Sequence, residues 1–228
     1  MHGRESLSPL NPMPPFAVAL FLVILGVEVM FTLGARGLVG DPDAVGWRSV
    51  AIQDYGFNSA ILGWMIENRA WPVEHLRRLV TYAFVHGSFP HALFAGVLLL
   101  AMSKFLSAVF RHWAVLALFL VSTVAGAAVY GLLIEAQSWL IGAFPGAYGL
   151  IGGFTYVMWL RLGQLGTNQA RAFTLIGVLM GLQLVFGLFF GSNGTWVADV
   201  AGFASGFLAS FVLSPGGFAK LRARIRHD

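Results

Sequence analysis

The chain has 228 residues, 57% of them hydrophobic and 11% charged, with a mean hydropathy of +0.76; soluble domains carry about 25% charge, so a mainly water-facing fold is excluded. The formal net charge is +4, but the basic residues sit mostly beside apolar runs, which points to membrane topology rather than nucleic acid. The absence of cysteine excludes disulfides, thiolate metal sites and a cysteine nucleophile.

Residues 1–15, "MHGRESLSPLNPMPP", read as a flexible tail. From Phe16 to about Leu33 the chain is apolar except for Glu28, long enough to span roughly 27 Å. A signal peptide fits poorly, because the apolar run is too long and Arg4 is offset by Glu5. Residues 35–85 mix "GDPD", "QDYG" and "ENRAWPVEHLRR" with apolar clusters such as Trp64-Met65-Ile66. A loop of that length is expected to be structured, as short amphipathic helices at the membrane interface. Five further apolar runs follow near 90–109, 113–134, 146–160, 172–190 and 198–214, with Lys104 placed to snorkel outward. The expected fold is all-α: a polytopic bundle of six transmembrane helices in residues 16–215, with a long, partly helical first loop (35–85) and a basic tail at 216–228.

Six spans put both termini on one side. That side carries Arg4, Lys104, Arg111, Arg161, Arg171 and the basic residues of the closing "KLRARIRHD", against Glu5 and Asp228. On the other side Arg36, Arg48, Arg69, Arg77 and Arg78 are offset by Asp41, Asp43, Asp54, Glu67, Glu74 and Glu135. The basic excess places both termini in the cytoplasm. Trp113, Trp159 and Trp196 at span ends fit the aromatic belt.

Helices in lipid associate through close packing, so small residues mark contacts. Small-xxx-small pairs occur at Gly142/Gly146, Gly149/Gly153, Gly177/Gly181, Gly187/Gly191 and Gly202/Gly206. The densest sets lie in spans four and six, which are expected to be neighbours. Charged residues inside spans are functional candidates, here Glu28 and Asp199. Asp199 shares a helical face with Gly202 and Gly206, and Tyr148 shares one with Gly152. A Tyr148 hydroxyl donating to the Asp199 carboxylate is the simplest pairing; the alternative is that Asp199 only caps span six. Glu28 has no obvious partner, Arg36 being eight residues on. His86 and His91, five apart, do not share a helix face and make a poor metal site. Neither a metal nor a cofactor is expected.

The ordered set "RRLVTYAFVHGSFPHALF", "GAYG" opening a Gly-rich span, "WLR" at its end and "ADVAGFASG" opening the last span resembles the rhomboid family of intramembrane serine proteases, from span two through span six. The resemblance implies a nucleophilic serine at the position of Tyr148, between Gly146 and Gly149, and a general-base histidine at the position of Asp199, between Ala198 and Gly202. It implies that His91 keeps an oxyanion-stabilising position, that Ala95 replaces an asparagine, and that Gly152 replaces an aromatic residue and so leaves room for the Tyr148 ring. Arg78 keeps the arginine of a first-loop Trp-Arg motif, whose tryptophan position is Arg77. Gly146, Gly149, Gly153, Gly202 and Gly206 are expected to pack helices.

Taken literally, these departures remove the chemistry. Histidine near neutral pH takes the serine proton and returns it to the leaving amine; a carboxylate with an unperturbed pKa of ~3.9 is a poor substitute. A phenolate leaves too readily for an acyl-tyrosine to be useful, and one lost oxyanion donor alone costs about 10²–10³ in rate. Ser138, Ser192 and Ser205 are misplaced to substitute. The expectation is a pseudoprotease of the bacterial inner membrane that binds the lipid bilayer and the transmembrane helices of other proteins. The alternatives are an active intramembrane endopeptidase, and a small transporter or proton-relay protein using Glu28 and Asp199, against which no internal repeat is seen.

Overall fold

The computed structural model describes residues 13–134, 139–190 and 194–215. The terminal segments 1–12 and 216–228, with Arg4, Glu5 and the closing basic residues, lie outside the described residues, as do Glu135, Ser138, Gly191 and Ser192.

Among the described residues, six long helices stand at the six expected spans: α1 (Pro15–Ala35), α6 (Phe89–Leu106), α7 (His112–Leu133), α8 (Phe144–Gln164), α9 (Thr174–Phe190) and α10 (Trp196–Leu213). Their starts follow local chemistry. Proline opens α1 and sits in the first turns of α6 and α8, where its missing N–H costs no helical bond. Ser88 caps α6 by accepting from the His91 N–H at 3.4 Å. The first loop is partly helical, with α2 (Trp47–Tyr55), α3 (Ser59–Glu67), α4 (Val73–Leu76) and α5 (Arg78–Thr81) joined by 3₁₀ turns at Pro42–Gly46 and Tyr82–Phe84. Asn58 caps α3 through the Ala60 N–H at 2.8 Å.

Among the described residues, α1, α6, α7, α10 and the segment Gln169–Phe189 are long and apolar enough to cross a membrane. The 21-residue α8 is not in that set: its glycines, tyrosines and Arg161 lower its hydropathy. The packing gives the reason. α8 is the central helix, bounded by α10, α7 and α6, and Pro145 through Gly153 are buried without interruption. A helix surrounded by protein needs small residues for close approach more than it needs apolar ones for lipid. α1 packs on α6 at the periphery.

Spans four and six are neighbours, as their glycines predict, and the α8–α10 contact is the most extensive in the bundle. A methyl group at Gly202 would strike the Pro145 carbonyl, and one at Gly206 the Gly149 carbonyl. Gly149 also lies against Ser122 of α7. The remaining glycines divide into those that pack helices and those that do not. Gly146 faces Phe119 and Thr123 of α7, and Gly153 faces Leu118 and Leu106, so both serve the other side of α8. Gly177 and Gly181 of α9 meet nothing within 4 Å and pack against no helix. Sequence spacing gives a repeat of small residues but not the helix that fills it.

Glu28, unassigned by the sequence, pairs with Arg48 of α2 rather than Arg36. The guanidinium makes two bonds, Nη2 to Oε1 at 2.7 Å and Nη1 to Oε2 at 2.8 Å, and Thr32 adds a hydroxyl at 3.1 Å. Glu28 is 1% exposed and the Arg48 side chain 23%. This bidentate pair is the strong form of a charge-assisted bond, and it pins the first loop to the first span.

Candidate functional site between α8, α9 and α10

Tyr148 lies in the first turns of α8, 5% exposed, and Asp199 in the first turn of α10, 4% exposed. The close glycine contacts between the two helices bring both side chains to one level of the bundle. The expected direct bond is replaced by a bridge. Gln183 of α9 donates its amide N–H to Asp199 Oδ2 at 2.8 Å, and the Tyr148 hydroxyl donates to Gln183 Oε1 at 3.4 Å, a long bond. A carboxamide has a donor at one end and an acceptor at the other, so it suits the gap between a hydroxyl and a carboxylate. Gln183 carries no charge and lies in none of the family motifs, so the rule that marks ionisable residues inside spans passes over it. The available signal was an amide in the otherwise apolar run "TLIGVLMGLQLVFGLFF".

Asp199 does not act as the cap of α10. The N-cap is Thr195, with no side-chain cap bond, although a carboxylate in the first turn still meets the positive end of the helix dipole. Gly152 also differs from expectation. A methyl there would strike the Phe203 carbonyl and the Phe207 N–H of α10, so its missing side chain admits the α10 backbone and not the Tyr148 ring.

The start of α8 is held by the first loop. Phe57 and Leu140 exchange two backbone bonds, and the Gly142 N–H donates to the Tyr82 carbonyl at 2.9 Å. The Tyr82 hydroxyl donates to the Thr123 carbonyl of α7 at 2.8 Å. His86 Nε2 accepts from the Ala143 N–H at 3.2 Å, and the His86 carbonyl accepts from Arg48 at 2.6 Å. A chain of contacts thus runs from Glu28 through Arg48 and His86 to the entry of α8. Burial pushes the His86 pKa from 6.5 to about 3, with His91 and Arg48 adding to the fall and the Phe84 backbone opposing it. His86 is therefore neutral, which its acceptor role at Nε2 requires.

His91 stacks on Phe144, centroids 5.2 Å apart and planes 13° apart, and meets His86 edge-on at 5.1 Å. Its Nδ1 accepts from the Gly87 N–H at 3.2 Å, which puts the ring proton on Nε2. Gly142, at φ +97°, is close enough to the His91 ring that a methyl there would sit 2.8 Å from it; the left-handed backbone and the close approach both call for glycine. Ala95 is fully buried on α6 and brings no hydrogen-bonding group. Arg78 is buried, donates to the Gln53 and Gly56 carbonyls at the end of α2 and lies over the Trp139 ring at 5.9 Å. Arg77, at the tryptophan position, covers the Tyr55 ring at 5.2 Å.

Ser205 of α10 donates to the Gly202 carbonyl at 2.9 Å, and its hydroxyl oxygen lies 3.3 Å from that of Ser122 of α7. Among the described residues no group of three or more His, Asp or Glu side chains could hold a metal ion. The arrangement is a hydroxyl, a carboxamide and a carboxylate from three helices, beside two packed histidines at the start of the central one.

No curated protein matches the chain. The family model of the rhomboid domain matches residues 73–216, from α4 through α10 and well over half of the chain. With its all-helical architecture and several helices able to cross a bilayer, the protein is a multi-pass membrane protein that belongs to the rhomboid family.

Proposed function

We propose that this rhomboid-family protein does not cleave peptide bonds and instead holds transmembrane segments of other membrane proteins, with both termini in the cytoplasm of a bacterial inner membrane. The observation that carries the reading is the Tyr148–Gln183–Asp199 bridge at the two positions where the family resemblance puts nucleophile and base. Tyr148 donates to an amide oxygen, which is no proton acceptor at neutral pH. Asp199 spends one carboxylate oxygen on Gln183. Nucleophile and base must be within direct reach, about 2.6–3.2 Å, for general-base activation, and here a side chain stands between them. Ala95 brings no donor where the resemblance expects one. Ser205 is bonded to the Gly202 carbonyl and to Ser122, away from the bridge.

The test combines two measurements on the full chain in proteoliposomes. The first is cleavage of a transmembrane substrate, where the expected result is none. Cleavage that is lost in both Tyr148→Phe and Asp199→Asn would establish an active endopeptidase and overturn the proposal. The second is recovery of intact membrane partners in mild detergent. A chain that captures none above the level of an unrelated six-span protein removes the holding function.

A further inference from the structure

α1 and α2 are joined by the Glu28–Arg48 pair, and beside that joint lies a cavity of about 570 Å³, a volume typical of small-molecule sites. Val27 and Met30 of α1, Val50 of α2 and Phe84 of the 3₁₀ turn Tyr82–Phe84 line it. So does Phe31, whose ring carries the Arg48 guanidinium at 5.4 Å. Val27 stands eight residues before the end of α1 at Ala35, about 12 Å along the helix axis. The wall therefore reaches well into a membrane span. Met30 and Val50 are exposed, so the cavity is open to its surroundings, which at that depth are acyl chains and not water. An apolar hollow there is filled by such a chain, because a void forfeits dispersion contacts.

The wall carries one charged side chain, Asp54, next to Tyr55 at the end of α2. The Arg77 guanidinium lies over the Tyr55 ring, 5.2 Å from its centroid. Among the described residues neither Asp54 nor Arg77 is in a salt bridge. A carboxylate and a guanidinium beside one ring, each free of an ionic partner, match the two opposite charges of a zwitterion.

We propose that this cavity is a phospholipid site: an acyl chain lies between α1 and α2, and a phosphatidylethanolamine headgroup sets its ammonium on Asp54 and its phosphate on Arg77. Ethanolamine is preferred to choline because an ammonium has N–H donors for a carboxylate and a trimethylammonium has none. The lining residues include neither Tyr148 nor Asp199, so the site stands whether or not the chain cleaves.

The probe is a phosphatidylethanolamine with a photoreactive diazirine in one acyl chain, at a low fraction in phosphatidylcholine nanodiscs holding the full chain. Illumination and peptide mass spectrometry should label the α1 and α2 segments with Val27, Met30 and Val50 roughly two- to fivefold above the exposed stretch around Leu132 of α7, the preference that one exposed ion pair supports. Replacing half of the phosphatidylcholine by unlabelled phosphatidylethanolamine should then cut that labelling by a factor of about 1.5–3. In Asp54→Asn the replacement should have no effect, and Arg77→Gln should lower the labelling itself. Val50→Trp, a change at an exposed position that fills the cavity, should bring it down to the level around Leu132. Labelling no stronger than around Leu132 in the unsubstituted chain, or unchanged in Val50→Trp, overturns the site. A client helix or a second copy of the chain in the cavity would exclude the probe and give the first of these results. Labelling that is insensitive to unlabelled phosphatidylethanolamine overturns the headgroup assignment.

Discussion

Replacing Arg48 by methionine tests how the first loop is fixed to the bundle. Glu28 is 1% exposed, and its two oxygens take guanidinium bonds of 2.7 and 2.8 Å. After the substitution the Thr32 hydroxyl, at 3.1 Å, is the one partner among the described residues that still serves the carboxylate. A buried charge that loses its partner costs about 3–5 kcal/mol, whereas replacing both members by apolar groups of similar volume is often nearly neutral. Arg48→Met should therefore destabilise the protein by about 3 kcal/mol, the low end, since Arg48 itself is 23% exposed. Glu28→Met in the same background should restore most of it. The expected coupling in the double-mutant cycle is about 2–3 kcal/mol, and the assay is unfolding by SDS titration in mixed micelles. The Arg48–His86 carbonyl bond at 2.6 Å is lost in both Arg48 variants, so the restoration should be incomplete by about 1 kcal/mol. The reasoning fails if Arg48→Met costs less than about 1 kcal/mol, or if the double variant is as unstable as the sum of the singles.

Two further outcomes follow from the same geometry. Gly206→Ala drives a methyl into the Gly149 carbonyl, while Gly181→Ala enters open space. The first should cost about 1–3 kcal/mol through overpacking and the second should be neutral or stabilising by up to about 1 kcal/mol through helix propensity; thermal denaturation in detergent separates them, and equal effects would contradict the α8–α10 contact. His86, held at about 3 against 6.5 for the free group, binds its proton more readily when unfolded. Its contribution is therefore complete above about pH 6.5 and is lost as pH falls toward 3, with a limiting slope of about 1.4 kcal/mol per pH unit. His86→Gln should flatten that part of the stability–pH curve; a slope unchanged from that of the parent chain would show that His86 is not held neutral in the fold.

Much of the architecture was legible in the chain. Apolar run length is set by bilayer thickness, so the six long helices fall where hydropathy puts them, and prolines and a serine cap mark three of the starts. The rhomboid assignment was legible too, because short motifs in a fixed order across several spans are specific even when each alone is weak. The α8–α10 contact was visible in glycine spacing, since close approach in lipid requires small residues.

What the sequence could not give was partner identity across helices. Spacing within a helix fixes which residues share a face, but rotation and depth relative to a neighbour come from packing the whole bundle. Helix faces put Tyr148 and Asp199 on neighbouring spans, but the link between them runs through Gln183 of a third helix. For the same reason Gly152, apparently a vacancy for the Tyr148 ring, is filled by the α10 backbone. Glu28 finds Arg48 twenty residues away because α2 folds back over α1, a turn that no local pattern encodes. Sequence alone determined the membrane-spanning helical class and the family, and it singled out Tyr148 and Asp199 as candidates. The tertiary structure decided that a third helix supplies Gln183 between them, because only the assembled bundle sets the width of that gap.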